Sequence, residues 1–353
     1  KTIYYSVTII SRRILKLGKI LVTGGMGYIG SHTLAALIEN GYRTVSIDNF
    51  SNSKPEILPK LERLTQSNIE FFETDTRNES ALEKIFSCND IDTVIHFAGL
   101  KSVSQSVADP MLYYSNNVGG IISLINAMEH AGCKNLVFSS SATVYGINNP
   151  VPNLEDMPVS AVTPYGQTKL MTEQILSDLC NSDPEWSVLS LRYFNPIGAH
   201  PSGFIGEELS DNPPNIAPYI MKVALGELPY VRIFGNDYPT ADGTGIRDYI
   251  HISDLAEGHI SAVDYVRSHK GFDIINLGTG HGYSVLELIH TFEEVCGKKI
   301  PWKFVSKRMG DVGISYADIS KAKKLLNWSP RLDLYDMCRD NWNFIMQKQR
   351  EII

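Results

Sequence analysis

The chain has 353 residues, 43% of them hydrophobic and 20% charged, with a formal net charge of -7. That length suits one large or two ordinary globular domains with a sizeable core. The acidic balance argues against nucleic acid or an anionic membrane surface as main partner, no segment approaches the ~18 consecutive apolar residues of a membrane helix, and small-molecule partners fit better.

Residues 1–18 carry Lys1, Arg12, Arg13 and Lys16 with no acidic residue, and they precede the first regular element. They read as a dispensable amino-terminal extension. Ile20-Leu21-Val22 is then a short apolar strand, Gly24, Gly27 and Gly30 follow at every third position, and Ser31 to Asn40 is helix-compatible. A strand, glycine turn and helix in that order make a dinucleotide-phosphate loop: the glycines allow a tight turn and close approach, and the helix amino end faces the phosphates. A second strand, Thr44 to Ile47, ends on Asp48, 18 residues after Gly30, where a carboxylate hydrogen-bonds the adenosine ribose and disfavours a 2'-phosphate.

Strands and helices continue to alternate: a helix over Glu56 to Thr65, a strand from Ile69 ending at Asp75, a helix over Ser80 to Phe86, and a strand from Thr93 closing on Gly99. His96, inside that strand, reads as a core residue. A helix over Tyr113 to His130 precedes a strand at Asn135 to Phe138 that leads into Ser141. Such alternation predicts an α/β fold with a doubly wound parallel sheet, whose ligands gather at the carboxyl ends of the strands.

Ser141 and the segment Tyr165-Gly166-Gln167-Thr168-Lys169 form the chemical core. Thr163-Pro164 marks a helix start, so Tyr165 and Lys169 share one face of it. An ammonium beside a phenol favours the phenolate, which makes Tyr165 a general base, with Ser141 holding and relaying the substrate's hydroxyl proton. After the strand Ser187 to Asn195 the composition shifts to prolines and glycines, predicting a smaller mixed domain over the strand ends. Arg247 and Arg308 stand in its glycine-rich polar segments and suit a diphosphate. The five dispersed cysteines give neither a metal motif nor a disulfide framework, so reduced thiols in a cytoplasmic protein and no metal are expected.

The chain closely resembles the UDP-galactose 4-epimerases of the extended short-chain dehydrogenase/reductase group from Lys19 to Trp342. The resemblance is carried by Val22-Thr23-Gly24-Gly25-Met26-Gly27-Tyr28-Ile29-Gly30, His96-Phe97-Ala98-Gly99-Leu100-Lys101, Ser139-Ser140-Ser141-Ala142-Thr143-Val144-Tyr145-Gly146 and Arg247-Asp248-Tyr249-Ile250-His251. It implies a Rossmann domain over 19–195 that binds NAD and a UDP-sugar domain over 196–353, with a segment near 248–278 returning to the first. For NAD it implies, beyond the glycine loop with Tyr28 and Ile29, contacts from Asp48, Asn49, Asn52 and Ser53. Asp75, Thr76, Phe97, Ala98 and Gly99 join these, as do Lys101, Asn116, Tyr165, Lys169 and Tyr193. For the UDP-sugar it implies Lys101, Ser141, Phe194, Asn195, Asn215 and Ile216, followed by Phe234, Arg247, Tyr249, Arg308, Asp311 and Ser315.

The implied reaction inverts C4 of UDP-galactose and UDP-glucose through a 4-keto sugar, with NAD transiently reduced. Ser315 falls where, in the family, a small side chain admits 2-acetamido sugars, which implies UDP-N-acetylglucosamine and UDP-N-acetylgalactosamine as further substrates. A homodimer through the helices Tyr113 to His130 and Tyr165 to Cys180 is also implied. Two alternatives stand beside this reading: a nucleotide-sugar 4,6-dehydratase, which would need an acid where Ala142-Thr143-Val144 stands, and a non-catalytic NAD-responsive binding protein of the same fold.

Overall fold

The computed structural model describes residues 18–209, 213, 215–308 and 311–352. Apart from Gly18, the expected amino-terminal extension lies outside the described residues, as do Met309 and Gly310 of the Arg308 loop. The first half of the chain runs β1 (Lys19–Thr23), α1 (Tyr28–Glu39), β2 (Thr44–Asp48), α2 (Ile57–Thr65), β3 (Glu70–Glu73), α3 (Glu79–Cys88) and β4 (Ile91–His96). Two short helices, α4 (Val103–Ala108) and α5 (Pro110–Tyr113), lead through a π turn (Tyr114–Val118) into α6 (Gly119–His130). Then follow β5 (Asn135–Ser141), a 3-10 turn (Ala142–Tyr145), α7 (Pro164–Ser182) and β6 (Ser187–Tyr193).

The second half has β7 (Asn195–Ile197), α8 (Ile216–Ala224), β8 (Val231–Phe234), β9 (Ile246–Arg247), β10 (Tyr249–His251), α9 (Ile252–Ser268) and β11 (Gly271–Leu277). It ends with β12 (Tyr283–Ser284), α10 (Val285–Cys296), β13 (Trp302–Val305), β14 (Ile314–Ser315), α11 (Ser320–Leu326) and α12 (Leu334–Ile352).

Seven strands form one sheet in the order β11-β6-β5-β4-β1-β2-β3, and the pairs β1–β2, β1–β4, β2–β3 and β4–β5 run parallel. The order turns back at β1, so the sheet is doubly wound, as the alternation of apolar runs predicts. Strands covered on both faces have to be apolar throughout, and Ile20, Leu21, Val22, Val94, Ile95, Leu136 and Val137 are fully buried. The junction between β1 and β4 is the switch point at which an open α/β sheet forms a crevice beyond its carboxyl ends.

Within the described residues the chain divides into two compact units. The first takes residues up to Ser140 with Thr168–Ser190 and His259–Asp273; the second takes Ser141–Gln167, Leu191–Gly258 and the residues from Ile274 on. The first unit's core gathers side chains such as Leu21, Ile47, Leu82, Leu124, Leu136 and Trp186. The second has its own core, with Ile220, Met221, Ile233, Phe292 and Met337, and three small sheets: β7 with β10, β9 between β12 and β14, and β8 with β13.

Candidate functional site

In the first unit an open cleft of about 550 Å³, counting the space at its mouth, is lined by Gly24 and Gly27 after β1, Asp48 to Asn49 and Ser51 to Ser53 after β2, and Phe97 to Gly99 after β4. Ile47, Thr74, Thr76 and Asn116 complete its wall. The backbone makes this cleft possible. Gly24 has φ +69°, and a Cβ there would stand 2.7 Å from the Ala98 nitrogen, while a Cβ on Gly30 would stand 2.2 Å from the Gly24 carbonyl oxygen. Glycine is therefore required for the left-handed turn and for the seating of α1 against it. Gly27 caps α1 without a side chain, and the first turn holds no acid, so nothing negative competes for the amino end of the helix.

Asp48 is oriented before any ligand arrives. Its Oδ1 accepts from Phe50 N at 2.9 Å and Ser53 Oγ at 2.8 Å, and its Oδ2 accepts from Met26 N at 3.0 Å. Asn49 donates from Nδ2 to Asp75 at 2.8 Å. Arg77 grips Asp75 through Nε and Nη2, and those charge-assisted bonds hold its carboxyl far below the usual carboxylate range. Asp75 and the α1 residues Tyr28, Ile29 and Gly30 flank the cleft's wall in sequence. The Lys101 ammonium stands 5.9 Å over the Tyr28 ring.

The helix expected over Tyr113 to His130 opens with the π turn, and this irregularity aims two asparagines. Asn117 Oδ1 accepts from Leu100 N at 2.8 Å while its Nδ2 donates to Leu100 O at 3.0 Å and Thr168 Oγ1 at 3.1 Å. The bonds tie the loop after Gly99 to α7, beside Asn116 in the cleft wall. π insertions inside helices recur at functional sites for this reason: one extra residue re-aims a side chain.

α7 begins at Pro164 and carries Tyr165 and Lys169 one turn apart. Lys169 is buried, and its Nζ donates to Ser139 O at 2.6 Å and lies 5.0 Å from the Phe138 ring. Burial pulls its ammonium down to about 8, against the pull of Glu173 one turn further along. His96 is a core residue as read: its Nδ1 lies 2.8 Å from Thr23 Oγ1, and burial with Lys169 nearby lowers it to about 3, so it is neutral. Ser141 closes β5, and its Oγ accepts from Thr143 N at 3.2 Å and from Thr143 Oγ1 at 3.0 Å.

The second unit brings together three groups of the expected substrate residues. β14 lies parallel on β9 with Ser315 opposite Arg247, whose Nη1 donates to Ile246 O at 2.9 Å. The Arg308 guanidinium sits 4.4 Å over the Phe234 ring and its Nε donates to Asp311 at 2.8 Å. Asn195 pairs with Tyr249 across β7 and β10, and Tyr193 and Phe194 precede it, both buried. Asn215 does not cap α8 with its side chain, which donates instead to Glu207 at 2.7 Å, and Ile216 opens that helix. Tyr249 is buried in the unit's core, where desolvation pushes its phenol up to about 12.

Three polar residues absent from the sequence expectation organise this region. Asp248 is fully buried and accepts from Thr279 N, Thr279 Oγ1, Gly280 N and Ala317 N at 2.6 to 3.1 Å, so one carboxylate fixes the segments on either side of Arg247 and Ser315. Asn276 takes the Tyr145 hydroxyl at 2.6 Å and donates to Asn153 O at 2.9 Å. Asn153 Oδ1 lies 3.4 Å from Ser315 Oγ. Only Asp248, inside a quoted motif, had a sequence signal that could have pointed to it. Among the described residues Glu79, Glu83 and His130, on α3 and α6, bring possible metal-ligating atoms within 4.8 Å of one another, with Glu83 and His130 exposed.

Residues 20–278 match the model of the NAD dependent epimerase/dehydratase family. The chain is 53% identical to a UDP-glucose 4-epimerase of Bacillus subtilis over 325 residues, which is 92% of this chain and 96% of that protein. Among solved structures it is similar to a UDP-glucose-4-epimerase from Stenotrophomonas maltophila with bound NAD and formylated UDP-arabinopyranose, at 45% identity, TM-score 0.93, and coverage of 95% and 99% of the two chains. It is also similar to a UDP-glucose 4-epimerase from Bifidobacterium longum in complex with NAD+ and UDP, at 45% identity, TM-score 0.90, and coverage of 94% and 99%. With a doubly wound sheet, a glycine-walled cleft at its switch point and a match across most of its length, the chain belongs to the NAD dependent epimerase/dehydratase family.

Proposed function

We propose that the chain inverts C4 of UDP-galactose and UDP-glucose, using NAD held in the first unit's cleft. The observation that carries this is Lys169: a buried ammonium, anchored on Ser139 O, one helical turn from a tyrosine, in a chain that also owns a dinucleotide cleft. NAD fits that cleft because glycine leaves the wall open at Gly24, the amino end of α1 meets no acid, and Asp48 is already aimed by three donors. Asp48, Asn49, Asn52, Ser53 and Thr76 would hold the adenosine half, and Asn116, Lys101 and Tyr193 the nicotinamide half. Bound NAD supplies the hydride acceptor and donor that inversion at a carbinol carbon needs.

The chain's own residues handle the proton. The Tyr165 phenolate oxygen accepts it from the C4 hydroxyl and returns it, the Lys169 ammonium stabilises that phenolate, and the Ser141 hydroxyl bonds the sugar oxygen. Arg247 and Arg308 grip the diphosphate, with Asn195, Asn215, Phe234 and Asp311 around the nucleotide, so the hexose can turn while the nucleotide stays bound. The cofactor residues fall within 19–195, and the nucleotide-sugar residues other than Lys101, Ser141, Phe194 and Asn195 fall from 196 on. No carboxylate stands at Ala142 to Val144 for a 4,6-dehydration, and the intact Ser141, Tyr165 and Lys169 favour catalysis over mere binding. Purified protein given UDP-galactose should form UDP-glucose with no net NADH; accumulation of a dehydrated sugar, or no conversion, would overturn the reading.

The proposal extends to three finer points. Ser315 leaves room for an acetamido group, so UDP-N-acetylgalactosamine should be converted as well. In the two helices the family implies for a dimer, Ile121, Leu124, Ile125 and Leu176 are buried in the first unit, whereas Ile122 on α6 and Met171 on α7 are exposed. These exposed side chains suit a homodimer face, and a monomer by light scattering at micromolar concentration would refute it. Free, dispersed thiols suit the cytoplasm, and no helix among the described residues is long and apolar enough to cross a membrane.

A further inference from the structure

Tyr165, Lys169 and Glu173 recur at every fourth position of α7 and so follow one stripe of the helix. Glu173 is 4% exposed, an environment that carboxylates avoid unless paired. Its Oε1 accepts from Ser140 Oγ on β5 at 2.6 Å and from Ser190 Oγ on β6 at 3.1 Å. Both donors are neutral, and a glutamine carbonyl could accept the same two bonds without a buried charge. These two bonds by themselves do not require a carboxylate.

The electrostatics around Lys169 do explain it. The lysine is buried against β5, with Ser139 O and the Phe138 ring as neighbours, and His96 faces it from β4 as a neutral imidazole. Glu173, one turn along the same helix, raises that ammonium as an acidic neighbour. We propose that Glu173 is a positioning residue for the reaction: its buried charge keeps Lys169 protonated, and so keeps Tyr165 next to a cation. The inference rests on the epimerase reading for Tyr165 alone; the coupling of Glu173 to Lys169 stands apart from it.

Glu173→Gln keeps both serine bonds and removes the charge. In holoenzyme carrying 13Cε-labelled lysine, the Lys169 signal, identified by its loss in Lys169→Met, should titrate near 8 in the parent. In the Gln variant the midpoint should fall by about one unit, with the alkaline limb of turnover moving the same way, and Glu173→Asp should recover most of both. An unmoved lysine midpoint overturns the inference even if the enzyme is active. A moved midpoint in a protein that never converts UDP-galactose upholds it and sinks the epimerase reading instead. Melting temperatures keep the test open if the Gln variant folds poorly. Glu173→Gln should lower Tm in the parent but raise it in Lys169→Met, where the carboxylate is buried without its cation. Equal shifts in the two backgrounds would show a hydrogen-bonding role only.

Discussion

At the scale of single residues, the proposed chemistry depends on charges kept where water is scarce. Burial lowers the Lys169 ammonium to about 8 and, with Lys169 nearby, the His96 imidazole to about 3, and Asp48 and Asp248 each accept several hydrogen bonds. Replacing Tyr165 by Phe removes the proposed proton acceptor and little else, so turnover should fall at least the ~100-fold typical of a lost general base while UDP-sugar still binds. Binding lost in step with turnover would show the tyrosine to be structural. Tyr165 and Lys169 were legible in the sequence because a helix places fourth neighbours together. Glu173 continues the same stripe, yet a glutamate on a helix is ordinarily a solvated surface residue, and only its burial sets it apart. Asn276 and Asn153 were not legible, since their pairing joins segments far apart in the chain.

The proposed sugar specificity rests on short elements. β9 and β14 are only two residues long each, and neither has the length or alternation that marks a strand in sequence; their parallel register puts Ser315 opposite Arg247. Asp248 pins both through Ala317 N and through its own backbone N–H, which donates to Ser315 O at 3.0 Å. A residue on so constrained a strand cannot swing away, so Ser315→Tyr should cost acetamido-sugar turnover at least tenfold and spare UDP-galactose, because filling a pocket penalises the larger substrate. Equal loss of both activities would place Ser315 outside the sugar pocket. The π turn shows the opposite limit of sequence reading: apolar periodicity foresaw a helix from Tyr113 to His130, and the inserted residue that re-aims Asn116 and Asn117 leaves that periodicity almost unchanged.

For the whole molecule, the doubly wound parallel sheet was the most legible feature, because buried parallel strands must be apolar throughout and each ends on a glycine or a polar residue at the carboxyl edge. The small sheets of the second unit left no comparable trace, being two or three strands of a few residues each. The proposed reaction oxidises and re-reduces the same sugar carbon without releasing the hydride it removes. UDP-galactose deuterated at C4 tests it most directly. The UDP-glucose formed should keep the deuterium at C4, with substoichiometric NAD sufficing for many turnovers. Deuterium lost to water, or UDP-glucose formed only with stoichiometric NAD, would contradict it.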